Sequence, residues 1–304
     1  MAIMRLGRVE VRCPNWEKSI DYYKRVIGLI ETAREEDRVY LKAWDEHDHH
    51  SVILKKADSA GLEHLAFKCE FASDLDLYEE KLNNIGIYTE RVPAGARIAE
   101  GEAVRFTLPT GQTVELYNEI EVVGNGLPLV NPDPWPDGLL GMHPTRLDHL
   151  LISGEDVDGA TKIFTDIFNF HVSEQLVAGE KNDQTIAKWL FKTNTAHDIA
   201  IIKGPQNKLH HFAFWLDEWV ELRNAADLMA KNDVMIDAGP TRHGITRGTT
   251  IYFFDPSGNR NEVFCGGYIT YPDSPTLTWT EDTIGKAVFY FERELNERFT
   301  TVVS

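Results

Sequence analysis

The chain has 304 residues, 42% apolar and 11% aromatic, which is enough to bury a substantial core and is compatible with two domains. A formal net charge of −17, with no basic stripe to offset it, argues against nucleic acid and for a small ligand that is not strongly anionic. No stretch approaches the roughly 18 consecutive apolar residues of a membrane helix, the opening MAIMRLGRVEVRC has no apolar signal core, and Cys13, Cys69 and Cys265 form no CxxC pair, so a cytoplasmic protein with reduced thiols is expected.

Taken in chain order, the pattern is one unit written four times. GRVEVRC near Val9 reads as a strand, residues 19 to 29 as a helix by their apolar spacing, and RVYLKAW as a returning strand. LEHLAFKC near His64, a helix over 75 to 87 and AVRFTL form the second unit. RLDHLLIS near His149, a helix over 160 to 170 and AKWLFKT form the third. LHHFAFWL near His211, a helix over 221 to 234 and TTIYFF form the fourth, so each unit reads as βαβββ. His64 and His211 are 147 residues apart, as are Glu115 and Glu262, and LPTGQTVELY (108 to 117) lies over DPSGNRNEVF (255 to 264). The chain is therefore expected to hold two similar halves, 1–125 and 145–304, joined by a linker over 126–144 that carries five prolines.

Paired βαβββ units resemble the vicinal oxygen chelate superfamily, and GPTRHGITRGTTIYFFDPSGNRNEVFCGG (239 to 267) with TWTEDTIGKAVFYFERELNERF (278 to 299) resembles extradiol ring-cleaving dioxygenases of the catechol 2,3-dioxygenase type. The resemblance spans essentially the whole chain. It implies an α+β fold of two similar, open, eight-stranded barrel-like domains, with the metal in the C-terminal cup only. It also implies iron(II), catechol or an alkylcatechol and dioxygen as reactants, 2-hydroxymuconate semialdehyde as product, a place in aromatic hydrocarbon catabolism, and a homotetramer.

Two histidines and one carboxylate on one face of a metal leave the opposite face for substrate and oxygen. His149, His211 and Glu262 fall on three different strands of the third and fourth units, and a carboxylate in a strand that should be well buried, as that of Glu262 should, is costly unless paired or metal-bound. By resemblance, His197 stands beside dioxygen, His243 and Tyr252 contact the substrate hydroxyls, and Val288 and Phe299 wall the ring. EHDHH (46 to 50) is expected to be a solvated turn, and strand alternation is expected to send His210 to the face opposite His211. In the N-terminal half Arg8 takes the place of His149 and Arg105 that of Tyr252, so Glu115 is expected to pair with arginine and the cup to lack iron.

Two rival readings stay open at this stage. A manganese-dependent cleaver of a carboxylated catechol would use Arg242 or Arg247 near the cup mouth, and a non-catalytic binding protein of the same fold would have no need of the six polar groups together.

Overall fold

The structure, a computed structural model, describes residues 3–304. Its N-terminal half runs β1 (Ile3–Cys13), α1 (Trp16–Tyr22), β2 (Ile30–Arg34), β3 (Arg38–Lys42) and β4 (Val52–Lys56), then β5 (Gly61–Cys69), α2 (Ser73–Asn84), β6 (Thr89–Val92), β7 (Ala103–Thr107) and β8 (Thr113–Tyr117). The C-terminal half repeats this order with β9 (Arg146–Gly154), α3 (Val157–Lys162), β10 (His171–Ala178), β11 (Gln184–Phe191) and β12 (Ile199–Lys203), then β13 (Lys208–Trp215), α4 (Trp219–Lys231), β14 (Ile236–Arg242), β15 (Gly248–Phe254) and β16 (Arg260–Gly266). A tail of β17 (Leu277–Thr280), α5 (Ile284–Val288) and α6 (Glu297–Thr301) follows. No helix among the described residues is long and apolar enough to cross a membrane.

The first N-terminal sheet pairs its strands in the order β2-β3-β4-β1-β5-β8-β7-β6, and the second sheet repeats that order as β10-β11-β12-β9-β13-β16-β15-β14. The tail strand β17 adds in parallel outside β10, so the second sheet has nine strands rather than the expected eight. Register confirms the internal repeat: Ala66 lies opposite both Arg8 and Glu115, and Ala213 lies opposite both His149 and Glu262. Arg105 faces Glu115 across the ladder as Tyr252 faces Glu262.

Helices α1 and α3 each run on into one π turn, Tyr23–Ile27 and Ile163–Ile167, another mark of the repeat. The first of these ends at Gly28, whose φ is 91°. A Cβ there would fall 1.9 Å from the Leu140 carbonyl oxygen, so the 126–144 segment can cross this helix end only over glycine.

Strand alternation then assigns the faces. Val9, Val11, Leu65 and Phe67 join Leu150, Ile152, Phe212 and Phe214 in one apolar core that also takes Ile20, Leu75, Ala160 and Leu222 from the four main helices. Rings cross between the halves, as in Phe67 with Phe164 (centroids 5.6 Å apart) and Tyr78 with Phe168 (5.2 Å). The opposite parity, Arg8, Glu10 and His64 in one sheet and His149, Leu151 and His211 in the other, is left to line the two cups.

Candidate active site

In the C-terminal cup the structure brings His149 (β9), His211 (β13) and Glu262 (β16) together, with one donor atom from each lying within 4.8 Å of the others. The Nε2 atoms of His149 and His211 are 3.0 and 3.1 Å from Glu262 Oε2, and the Thr250 hydroxyl donates to Glu262 Oε1 at 2.5 Å. All three residues are buried. Burial opposes charge on Glu262, yet His149 and His211 hold its carboxyl well below the usual carboxylate range. Burial also works against a charged His149, but Glu262 and Asp148 push it up to about 9, while burial takes His211 down to about 4. Two imidazoles and a carboxylate with no Lys or Arg paired to it among the described residues fit a divalent transition metal.

The other ring nitrogen of each histidine is also held. His149 Nδ1 donates to Asp148 Oδ2 at 2.8 Å, and Asp148 is itself bound by Arg146 at 2.8 Å. His211 Nδ1 lies 2.7 Å from His210 Nδ1. Both partners are immediate sequence neighbours, which simple alternation forbids, and both sit where the β9–β13 register shifts by one residue. A β-bulge places two residues opposite one and turns the extra side chain. The expectation for His210 is therefore corrected: it is buried, it lines the same cavity as His211, and it does not face the other side of the sheet.

His197 lies in the same cup with its ring centroid 4.0 Å from that of His149, and burial, followed by the charge of His149, holds it well below its ordinary value. His243 Nδ1 donates to the Val288 carbonyl, which leaves its Nε2 as an acceptor for the Tyr252 hydroxyl at 2.9 Å. Tyr252 packs against His211 at 5.1 Å, so these groups flank the His-His-Glu cluster from different sides. The remaining cavity wall is mostly apolar: Leu151, Trp189, Ile245 and Phe264 from the sheet and its loops, and Val288 and Phe299 from the tail. Arg242 and Arg247 do not line it, and the Arg247 guanidinium stacks on Tyr268 instead.

Buried Glu174 holds the loop beside the cavity, accepting from the Thr246 amide at 2.5 Å, Trp279 Nε1 at 2.6 Å and the Tyr268 hydroxyl at 2.8 Å. Sequence reasoning missed it, as it missed Asp148 and Thr250. An acid in a strand that should be buried was the available signal for Glu174.

The N-terminal cup is filled differently. Glu115 binds Arg8 at 2.5 Å, Arg105 at 2.7 Å and also Arg97, so the expected arginine pairing is present, with two cations more than one pair needs. The expectation of a solvated EHDHH turn is corrected as well, since only His47 is exposed, whereas Asp48, His49 and His50 are buried. His50 Nε2 lies 2.8 Å from Glu100. It stands two residues before Val52, opposite Val9, as His197 stands two before Ile199, opposite Leu150. The 147-residue offset already carried His50 onto His197.

Residues 146–263 match the Glyoxalase/Bleomycin resistance protein/Dioxygenase superfamily, and residues 62–121 match the catechol 2,3-dioxygenase-like N-terminal domain. A metapyrocatechase of Pseudomonas sp. (strain CF600) is 44% identical over 305 residues, covering 99% of both chains. A manganese-dependent 2,3-dihydroxybiphenyl 1,2-dioxygenase of Geobacillus genomosp. 3 is 30% identical, covering 96% of this chain and 95% of its own. Among solved structures, the 2,3-dioxygenase LapB from Pseudomonas sp. KL28 aligns with a TM-score of 0.90 at 43% identity, covering 93% of this chain and 99% of its own. A variant of homoprotocatechuate 2,3-dioxygenase from Brevibacterium fuscum aligns with a TM-score of 0.88 at 28% identity, covering 99% and 82%. Sequence, fold and the His-His-Glu cluster agree, and the chain belongs to the metal-dependent extradiol ring-cleaving dioxygenases of the metapyrocatechase type.

Proposed function

We propose that the chain cleaves catechol or a simple alkylcatechol beside its diol, using dioxygen and iron(II) held by His149, His211 and Glu262, to give 2-hydroxymuconate semialdehyde. The observation that carries this reading is the buried His-His-Glu cluster opening on an apolar cavity edged by His197, His243 and Tyr252. Iron(II) there supplies Lewis acidity and a path for electrons between ring and dioxygen. The protein's own groups do the rest. The Tyr252 hydroxyl and His243 Nε2 form a relay that accepts a proton from a substrate hydroxyl, and the Val288 carbonyl keeps the accepting nitrogen turned inward. His197, kept neutral by burial on the His149 side, can take up a proton and return it as dioxygen is reduced. Leu151, Trp189, Val288 and Phe299 hold an uncharged ring and exclude water.

In this reading 145–304 is the catalytic unit, 126–144 the linker and 1–125 a unit without iron. Assembly as a cytoplasmic homotetramer in aromatic hydrocarbon catabolism rests on family resemblance. The carboxylated substrate is disfavoured because Lys203, exposed at the rim, is the one Lys or Arg lining the cavity among the described residues.

Anaerobic reconstitution with iron(II) or manganese(II), followed by catechol and air, tests the proposal. A yellow product with iron and catechol, and much slower turnover with protocatechuate-type acids, is the expected result. Faster turnover of the acids, or activity with manganese alone, would overturn the substrate or metal assignment.

A further inference from the structure

His210 is the unmatched residue of β13: Leu209 pairs with Ile152 and His211 with Leu151, leaving His210 at the bulge. One end of its ring lies 2.7 Å from His211 Nδ1, and the other, Nε2, lies 2.8 Å from the carbonyl oxygen of Phe299 in α6. That Nε2 is contested, since the carbonyl only accepts whereas Arg260 Nη1, 3.0 Å away, only donates. In the arrangement that bonds Phe299, Nε2 of His210 carries the hydrogen and the lone pair of the neutral ring is at Nδ1. His211 Nδ1 must then donate. The free lone pair of His211 falls on Nε2, the atom 3.1 Å from Glu262 that faces the metal position.

The far end of this chain is not a passive surface. Phe299 lines the cavity and packs edge-on against Tyr252, with centroids 4.8 Å apart. Arg260 lies 3.0 Å from His210 Nε2, is anchored on Asp237 at 3.0 Å, and donates to the Val302 and Arg298 carbonyls of the tail. Ser304 and Leu209, the residue before His210, exchange two backbone hydrogen bonds at 2.9 and 3.0 Å. The tail is thus docked onto the strand segment that presents His211. In the N-terminal sheet the same bulge position holds Glu63, which pairs with Lys55 and Arg12 instead.

We propose that His210 is a positioning residue that couples metal retention at His211 to docking of the C-terminal tail, so that a loaded metal site and a closed pocket wall stabilise each other. Such coupling is reciprocal by thermodynamic necessity. Metal binding at Nε2 requires the hydrogen on Nδ1 of His211, and this is the arrangement that the bond from His210 to Phe299 completes. Loosening the tail should loosen the metal, and removing the metal should loosen the tail. The inference rests on reading His211 as a metal ligand.

Two substitutions separate the parts of the device. His210→Asn keeps an acceptor near the Nδ1 position for His211 but cannot reach Phe299, whereas His210→Leu loses both bonds. The readouts, on iron-loaded full-length protein kept anaerobic, are the rate of iron release to a chelator and amide hydrogen exchange over 295–304 with and without iron. In the parent, iron should slow exchange in the tail. In His210→Leu iron should leave about 10- to 100-fold faster, and tail exchange should no longer respond to iron. His210→Asn should retain more of the metal hold than His210→Leu while also losing the tail response. A merely structural role would not divide the two variants in this way. Parental iron release and a parental tail response in His210→Leu overturn the proposal, as does a parent whose tail ignores iron. Should His210→Leu fail to fold, a parental tail response in His210→Asn is decisive against it. Parental iron content in His211→Ala would instead sink the ligand reading itself.

Discussion

The two cups are built on the same ladder, yet they settle the same buried carboxylate in opposite ways. In the N-terminal cup Glu115 is met by the guanidinium groups of Arg8, Arg97 and Arg105. In the C-terminal cup Glu262 is met by two imidazoles and a threonine hydroxyl. Guanidinium groups neutralise a carboxylate from within and occupy the space around it, whereas imidazoles can offer lone pairs and leave room for an external cation. The walls diverge in step: by register Glu10 and Lys55 stand where Leu151 and Ile202 line the C-terminal cavity. Duplicated scaffolds can therefore part company through the few side chains of one strand parity, with the core parity left alone.

The largest effect should come from making the C-terminal cup more like the other. Alanine at His149, His211 or Glu262 is expected to abolish tightly held iron, and with it turnover, while circular dichroism shows the fold largely retained. One iron per parental chain is expected from metal analysis, and two would show that the N-terminal cup also binds. His197→Gln comes next. Iron content and the anaerobic dissociation constant for catechol should hold, while kcat falls about a hundredfold to ten-thousandfold, the scale for a lost acid-base group. Parental turnover, or loss of iron, would remove His197 from that role.

On the other side of the comparison, Glu115→Gln takes a carboxylate from the buried Arg8 and Arg97, leaving them only Glu100, and from the partly exposed Arg105, and should cost about 3–5 kcal/mol in unfolding free energy, with iron per folded chain unchanged. Acid probes the same network. Burial takes His50 down to about 4 and His64 to about 3, and the pull of His64, Arg8 and Arg97 on Glu115 outweighs burial and holds it at about 2. All three values are depressed relative to the unfolded chain, so protons favour the unfolded state. Their contribution is intact above the ordinary histidine value of 6.5, declines as the two histidines must charge, and falls again between 4.5 and about 2 as Glu115 is protonated. Thermal melts at descending pH should show both stages in the parent, and Glu115→Gln should shrink the lower one, leaving the share of Glu100, which, against burial, Arg8 and His50 also hold low. A smaller effect is expected for His50→Ala, about 1–3 kcal/mol from leaving Glu100 short of a partner, again with iron retained. His47→Ala should stay within about 0.5 kcal/mol of the parent, as a surface change does. Iron loss from either variant would tie the N-terminal network to the metal site and break the separation drawn between the cups.

Periodicity, the 147-residue offset and the chemistry of residue types determined a great deal by themselves. They identified four units, the alternation that puts His149, His211 and Glu262 on the cup face, and the two arginines, Arg8 and Arg105, that hold in the N-terminal half the places of His149 and Tyr252. These are properties of local pattern, and a period of two is legible one strand at a time. What only the tertiary structure decided lies where that period breaks or where the partner is remote. The bulges at Asp148 and His210 arise from how β9 and β13 pair, not from either residue's character, so alternation misassigned His210. Arg97 reaches Glu115 from outside the strands, β17 extends the second sheet, and α5 and α6 close the cavity from the far end of the chain. Nothing local marks these contacts, because the free energy that selects them is gained only when distant segments desolvate a shared polar group together.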